Sequence, residues 1–132
     1  MAPIPEQYLD LLQQKKAFAH LATVMSDGSP QVTPVWFDYA DGRLRVNTAK
    51  GRVKARTLKP GAPVALAIMD PDDPYRYVQV RGHVSRCTEE GADQHIDSLA
   101  KKYIGQDEYP WRQPGEVRLT CEIEPTSASG SK

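Results

Sequence analysis

The densest chemistry in the chain lies in Asn47-Thr48-Ala49-Lys50-Gly51-Arg52-Val53-Lys54-Ala55-Arg56. Lys50, Arg52 and Lys54 crowd a glycine, and Thr48 adds a hydroxyl donor just ahead of it. If a helix opens at Gly51, its free N–H groups and dipole favour an anion. Lys50 and Lys54 then share one helix face, as do Arg52 and Arg56, and like charges at that spacing repel. A bound polyanion would remove the conflict. The alternative is a solvated basic face. On its own the pattern points to a phosphate or carboxylate ligand.

Three other segments carry functional groups. In Gly28-Ser29-Pro30-Gln31-Val32-Thr33-Pro34-Val35, an amide (Gln31) and a hydroxyl (Thr33) share one strand face, because side chains alternate. They suit hydrogen bonding to a flat heterocycle. Tyr75-Arg76-Tyr77 follows an acidic turn, and Tyr109-Pro110-Trp111-Arg112 sits in a polar stretch. Aromatics beside arginine are common anchors at interfaces and clefts. The motifs GxSxG, GxxxxGK[ST], HExxH and GxGxxG do not occur. No catalytic residue can be assigned. His20, His83 and His95 lack ligand spacing, so no metal site is expected. Cys87 and Cys121 read as reduced core thiols.

These groups need a scaffold, and the apolar pattern supplies one. An opening helix over 5–16 precedes a strand over 18–25. Asp27-Gly28 makes a turn into a strand over 31–39, which Pro30 and Pro34 confine to an edge or a bulge. Asp41-Gly42 turns into a strand over 43–48, followed by a short helix over 50–59. Strands over 64–69 and 75–86 come next, with Gly82 a bulge or a close backbone approach. Thr88 caps a helix over 89–104, and a last strand runs 116–124. Six strands and three helices without regular βα alternation predict a mainly β, antiparallel, Greek-key-like small barrel with short peripheral helices. One domain over 1–125 is expected, with 126–132 a disordered tail.

Composition narrows the partners. The 132 residues are 39% hydrophobic, enough for one core. Seventeen basic and seventeen acidic side chains cancel, which disfavours a nucleic-acid track. No apolar stretch approaches a membrane span, and the N-terminus lacks a secretory h-region. The expectation is a cytoplasmic protein with a small-molecule partner.

Taken in order, Ala19-His20-Leu21-Ala22-Thr23, Asp27-Gly28-Ser29-Pro30-Gln31-Val32, Asp41-Gly42-Arg43-Leu44 and Gly51-Arg52-Val53-Lys54-Ala55-Arg56-Thr57-Leu58 form a set, which ends near Gly82. The set resembles the pyridoxamine 5′-phosphate oxidase-like split β-barrel superfamily, and within it the coenzyme F420-dependent oxidoreductase branch. The resemblance covers about residues 8–125. It implies a six-stranded split barrel, a homodimer, and a cofactor in each of two interface clefts. Thr48, Lys50, Arg52 and Lys54 would grip the cofactor phosphate. Gln31, Val32, Thr33 and Pro34 would line the ring, and Tyr75 and Arg76 would reach across the dimer. Arg56 and Lys59 are spare cations for the anionic F420 tail. The implied activity is hydride transfer from F420H2 to a planar conjugated molecule of enone or quinone type. The alternatives are an FMN-dependent oxidoreductase or flavin reductase, and a non-catalytic cofactor binder. The chain lacks an equivalent of the C-terminal substrate-binding region of the vitamin-making enzyme.

Overall fold

Turn chemistry cuts the chain where the sequence predicts. At Asp41 and Gly42 φ is +55° and +78°, the paired positive values that a tight two-residue hairpin turn requires. The computed structural model describes residues 4–132. A 3-10 turn, Glu6–Tyr8, leads into α1, Leu9–Gln13. Then come β1 (Ala19–Val24), β2 (Pro30–Val35), β3 (Asp38–Ala40) and β4 (Arg43–Ala49). Helix α2 (Val53–Thr57) precedes β5 (Pro63–Asp70) and β6 (Asp73–Thr88). Helix α3 (Ala92–Ile104) and β7 (Arg118–Ser131) complete the chain. No helix among the described residues is long and apolar enough to cross a membrane.

The strands form one antiparallel sheet in the order β2-β1-β5-β6-β7-β4-β3. The described residues form seven strands, not six. The run over 31–39 breaks at Trp36-Phe37, and its halves go to opposite ends of the strand order. That break has a topological consequence. Only two residues join the last residue of β2 to the first of β3, and each residue spans at most about 3.6 Å. The two outermost strands therefore approach within about 10 Å there, so the sheet curls round on itself. The result is a barrel with a seam at Trp36-Phe37.

Alternation fills this barrel. Leu21, Leu44, Val46, Leu66, Ile68, Val78, Val80 and Ile123 point inward and are buried. Phe37, at the seam, is fully buried with them. Tyr8, Leu11 and Leu12 of the N-terminal segment join the same cluster. One salt bridge ties α1 to the sheet, Arg76 to Asp10, and Arg76 also pairs with Asp70 at the end of β5. Lys15 bonds Asp70 at 2.8 Å.

Two features bend the long β6–β7 ladder. Its register shifts at Arg81/Gly82 and between Val84 and Arg86. At Gly82 a Cβ would collide with the Glu124 carbonyl, so the expected bulge and close approach are both present. The end of the chain departs from expectation. Residues 126–131 continue β7 and pair with β6 as far as Tyr77↔Ser131. Their small side chains predict disorder, yet small size is what this pairing needs. A Cβ on Gly130 would strike the Tyr8 ring and the Tyr77 carbonyl. Cys87 and Cys121 are free and sit directly opposite each other on this ladder.

Candidate functional site

The seam of the barrel opens into a cleft of about 240 Å³. Pro34, Val35 and Trp36 come from the end of β2 and the break after it. Asn47 and Thr48 come from β4, and Arg52 and Lys54 from the start of α2. Ile96 and Leu99 of α3, Tyr109 and Trp111 of the loop after it, Arg118 of β7 and Phe18 close the wall. Segments distant in sequence meet because the seam, the β4–α2 turn and the start of β7 lie at one end of the barrel.

One wall is aromatic. Trp36 stacks on Tyr103 at 5.4 Å with planes 4° apart, and Tyr109 meets Trp36 edge-on at 6.1 Å. Trp111 lies 6.2 Å from Trp36 and is 56% exposed, so it stands at the mouth. The Tyr103 hydroxyl donates to the Ala17 carbonyl at 2.6 Å and accepts from the Phe37 N–H at 3.3 Å. Burial pushes that phenol up to about 12. Lys102 donates to the Phe37 carbonyl at 2.9 Å. Helix α3 thus clamps the Trp36-Phe37 seam and fixes the indole plane.

The other wall is cationic. Arg52, Lys54 and Arg118 all line the cleft. Burial, and then the neighbouring Arg52, pull the Lys54 ammonium below its ordinary value. Lys54 makes no salt bridge among the described residues. Arg118 is buried, with its guanidinium 5.2 Å from the Tyr109 ring centroid. Its Nε donates to Asn47 Oδ1 at 2.8 Å, and its Nη1 lies 3.1 Å from Glu116 Oε1. Thr48 Oγ1 is buried at the cleft without a hydrogen-bond partner. An unpaired ammonium, that of Lys54, beside an orphaned hydroxyl suits an anion. The aromatic wall suits a flat ring.

Beneath the floor lies a polar network. Asn47 Nδ2 donates to the Ala92 carbonyl at 2.9 Å and sits 3.1 Å from His95 Nδ1. Because Arg118 can only donate, it fixes the amide, and His95 Nδ1 must then accept. The other ring nitrogen of His95 faces Asp38 Oδ2 at 3.2 Å, and Arg45 grips the same carboxylate at 2.8 and 2.7 Å. Burial raises the Asp38 carboxyl, but His95 and Arg45 together outweigh it and hold the group at about 2. In the unfolded chain it titrates near 4. A carboxyl depressed on folding stabilises above its unfolded value and loses that contribution as pH falls through the folded one. Asp38 should therefore contribute about 2 kcal/mol at neutral pH, lost between about pH 4 and 2. Urea unfolding across that range checks this, and Asp38→Asn should flatten the slope.

The expected site residues divide. Thr48, Arg52, Lys54 and Pro34 meet in the cleft, with Trp111 beside them. Lys50 does not line it and pairs with Glu89 instead. Gln31, Val32 and Thr33 lie further back along the β2 edge and do not line the cleft. Val32 is exposed. Tyr75 is 76% exposed at the start of β6. Arg76 is held by Asp10, Asp70 and the Gln7 carbonyl. The predicted helix over 50–59 is one short turn, with Arg52 at its N-cap. The anion-binding character of the cleft therefore rests on its side chains. Sequence reasoning missed Asn47, His95, Arg118 and Trp36 as site-building residues. Arg118 left no signal, since Leu119, Cys121 and Ile123 are the core-facing set of β7 and Arg118 falls on the alternate face with Thr120, which meets His95 of α3.

Comparison with known proteins places this geometry. The family model described as Pyridoxamine 5′-phosphate oxidase matches residues 4–127. A solved structure described as an F420 reductase superposes with a TM-score of 0.81 at 34% identity. That match covers 96% of this chain and 98% of the other. An FAD- and heme-binding protein from Mycobacterium smegmatis gives a TM-score of 0.69 at 20% identity, covering 98% of this chain and 71% of that one. HupZ of Group A Streptococcus gives 0.68 at 16% identity, covering 96% and 93%. At such identities the last two show the fold alone. No curated protein matches the chain.

Proposed function

The chain belongs to the pyridoxamine 5′-phosphate oxidase family, and from that premise we propose that it is a coenzyme F420H2-dependent reductase of a planar conjugated small molecule, of enone or quinone type. The observation that carries this reading is one cleft with two chemistries. Arg52, Lys54 and the buried Arg118 supply its cations, Trp36, Tyr109 and Trp111 supply its rings, and the two sets meet where Arg118 lies 5.2 Å from Tyr109. That pairing fits a ligand with an anionic end and a flat ring. The likeness to an F420 reductase at 34% identity supports the deazaflavin over other flavins.

In this reading Arg52 and Lys54 hold the cofactor phosphate, and the Thr48 hydroxyl is available to it. Pro34, Trp36 and Trp111 bracket the ring and keep water from one face. Arg56 and Lys59 serve the anionic tail. When bound, the reduced deazaflavin supplies a hydride from carbon, so the protein need only orient it and exclude competing reactions. A second copy completes the cleft from the outside. Val32 and Tyr75 are exposed for such a contact, and Val32 lies on the strand that ends at the cleft. Gln31 and Thr33 come near the ring from the same edge, and Arg76, held by Asp10 and Asp70, fixes the start of β6 that carries Tyr75.

Two measurements test this. Light scattering should give about twice the 14.7 kDa chain mass. Parallel titrations with F420 and FMN, followed by cofactor fluorescence, should show saturable binding with F420 preferred. Preference for FMN would make the protein a flavin enzyme of the same fold. Tight F420 binding without hydride transfer to any enone or quinone would make it a carrier.

A further inference from the structure

Glu116 stands two residues ahead of β7, and its side chain is 6% exposed. It reaches two arginines that line the cleft. Oε1 lies 3.1 Å from Nη1 of the buried Arg118, and Oε2 accepts from Nη2 of Arg52 at 3.4 Å. The two ends differ. The Arg118 end is buried on both sides, where breaking an ion pair is costly. The Arg52 end is long, and Arg52 is 53% exposed, so it is weak and exchangeable. No acidic side chain lines the cleft, and Glu116 is the counter-charge to both Arg52 and Arg118.

We propose that Glu116 is a specificity-determining internal anion: its carboxylate occupies the ligand phosphate's place against Arg52 in the free protein and yields Arg52 when a phosphate enters. The proposal rests on the reading that the cleft takes the phosphate end of its ligand. A phosphate monoester or pyrophosphate carries more charge than the carboxylate, and the F420 diester keeps two free oxygens to engage Arg52 and Lys54 together with the anionic tail beyond it. A ligand with one carboxylate offers Arg52 nothing that Glu116 does not already give. Glu116 therefore lowers affinity for every anion and selects for phosphate.

The test is a titration series with FMN, F420 and inorganic pyrophosphate, together with thermal melting of the free protein in rising pyrophosphate. Glu116→Gln keeps the shape and removes the charge. It should bind all three phosphates about tenfold more tightly, the size of one charged contact, and bind acetate measurably where the wild type does not. Its melting temperature without ligand should fall and rise more steeply with pyrophosphate. A folded Glu116→Gln protein with unchanged or weaker phosphate binding overturns the proposal. If that variant does not fold, Glu116→Asp decides. The shorter arm keeps a charge for Arg118 but withdraws from Arg52, and should tighten binding about threefold. Unchanged or weaker binding again overturns the proposal. Lys54→Ala in the same series separates two failures. If Lys54→Ala weakens phosphate binding and Glu116→Gln does not strengthen it, only the internal-anion role falls. If Lys54→Ala changes nothing, the phosphate reading of the cleft falls with it.

Discussion

Lys54→Ala should weaken F420 binding by about ten- to a hundredfold while leaving the fold intact. A charge-assisted hydrogen bond to phosphate contributes about 1.5–3 kcal/mol, and 1.4 kcal/mol is about a factor of ten. Lys54 should sit at the upper end. It lines the cleft, has no salt-bridge partner among the described residues, and is pulled below its ordinary value by burial and then by Arg52. An ammonium in that position gains from any anion that arrives. Stability should change little, since the side chain supports no other element. Lys50 gives an internal control. It lies four residues away in sequence but pairs with Glu89 outside the cleft, so Lys50→Ala should change affinity by less than about threefold. Fluorescence titration of the two variants at one salt concentration reads the contrast. Higher salt should shrink the loss seen in Lys54→Ala.

Arg118→Met should cost about 3–5 kcal/mol of folding stability, the range for removing one partner of a buried ion pair. The stem is replaced at similar volume, so packing is mostly kept. What is lost is the charge that offsets Glu116 and the donor that fixes Asn47 at 2.8 Å. Both partners stay behind in a buried place, and the carboxylate, left with only its long contact to Arg52, is the costlier of the two. Restoring balance should recover stability. Arg118→Met with Glu116→Gln should be more stable than Arg118→Met alone, because no buried charge is then left unpaired. Urea denaturation of the wild type, the single variant and the double variant measures this. Equal stability of single and double variants would mean that Glu116 reaches water once Arg118 is gone.

Much of this fold was legible in local chemistry. Asp41-Gly42 marks a hairpin because few other pairs accept two positive φ values, and Asp27-Gly28 marks another in which the glycine alone takes one. The run Ala92, Ile96, Leu99, Ala100, Tyr103 marks α3 because its spacing puts one stripe inward, and those residues are buried. Gly82 announced its close approach for the same kind of reason. What was not legible is what depends on closure. Residues 31–39 have uniform strand character, so nothing local shows that Trp36-Phe37 is a seam between opposite ends of the sheet. Once the seam is missed, so is the cleft that it opens. Its basic residues were visible as a cluster in sequence, and Arg52 and Lys54 do meet there. Lys50 has the same composition around it and turns to Glu89, a partner 39 residues away that no spacing rule reveals. The tail misread the other way. Ser-Ala-Ser-Gly has the composition of a disordered end, but Gly130 is required beneath Tyr8, and only tertiary packing shows that.

The claim on which the rest depends is that the seam cleft holds the phosphate end of a flat, anionic cofactor. A crystal structure of the protein grown with F420 tests it most directly. The account predicts the phosphate within hydrogen-bond distance of both Arg52 and Lys54, the ring against Trp36 and Trp111, and the Arg52–Glu116 contact broken. A phosphate bound elsewhere on the chain, with Arg52 still on Glu116 and the Trp36 wall bare, would contradict it.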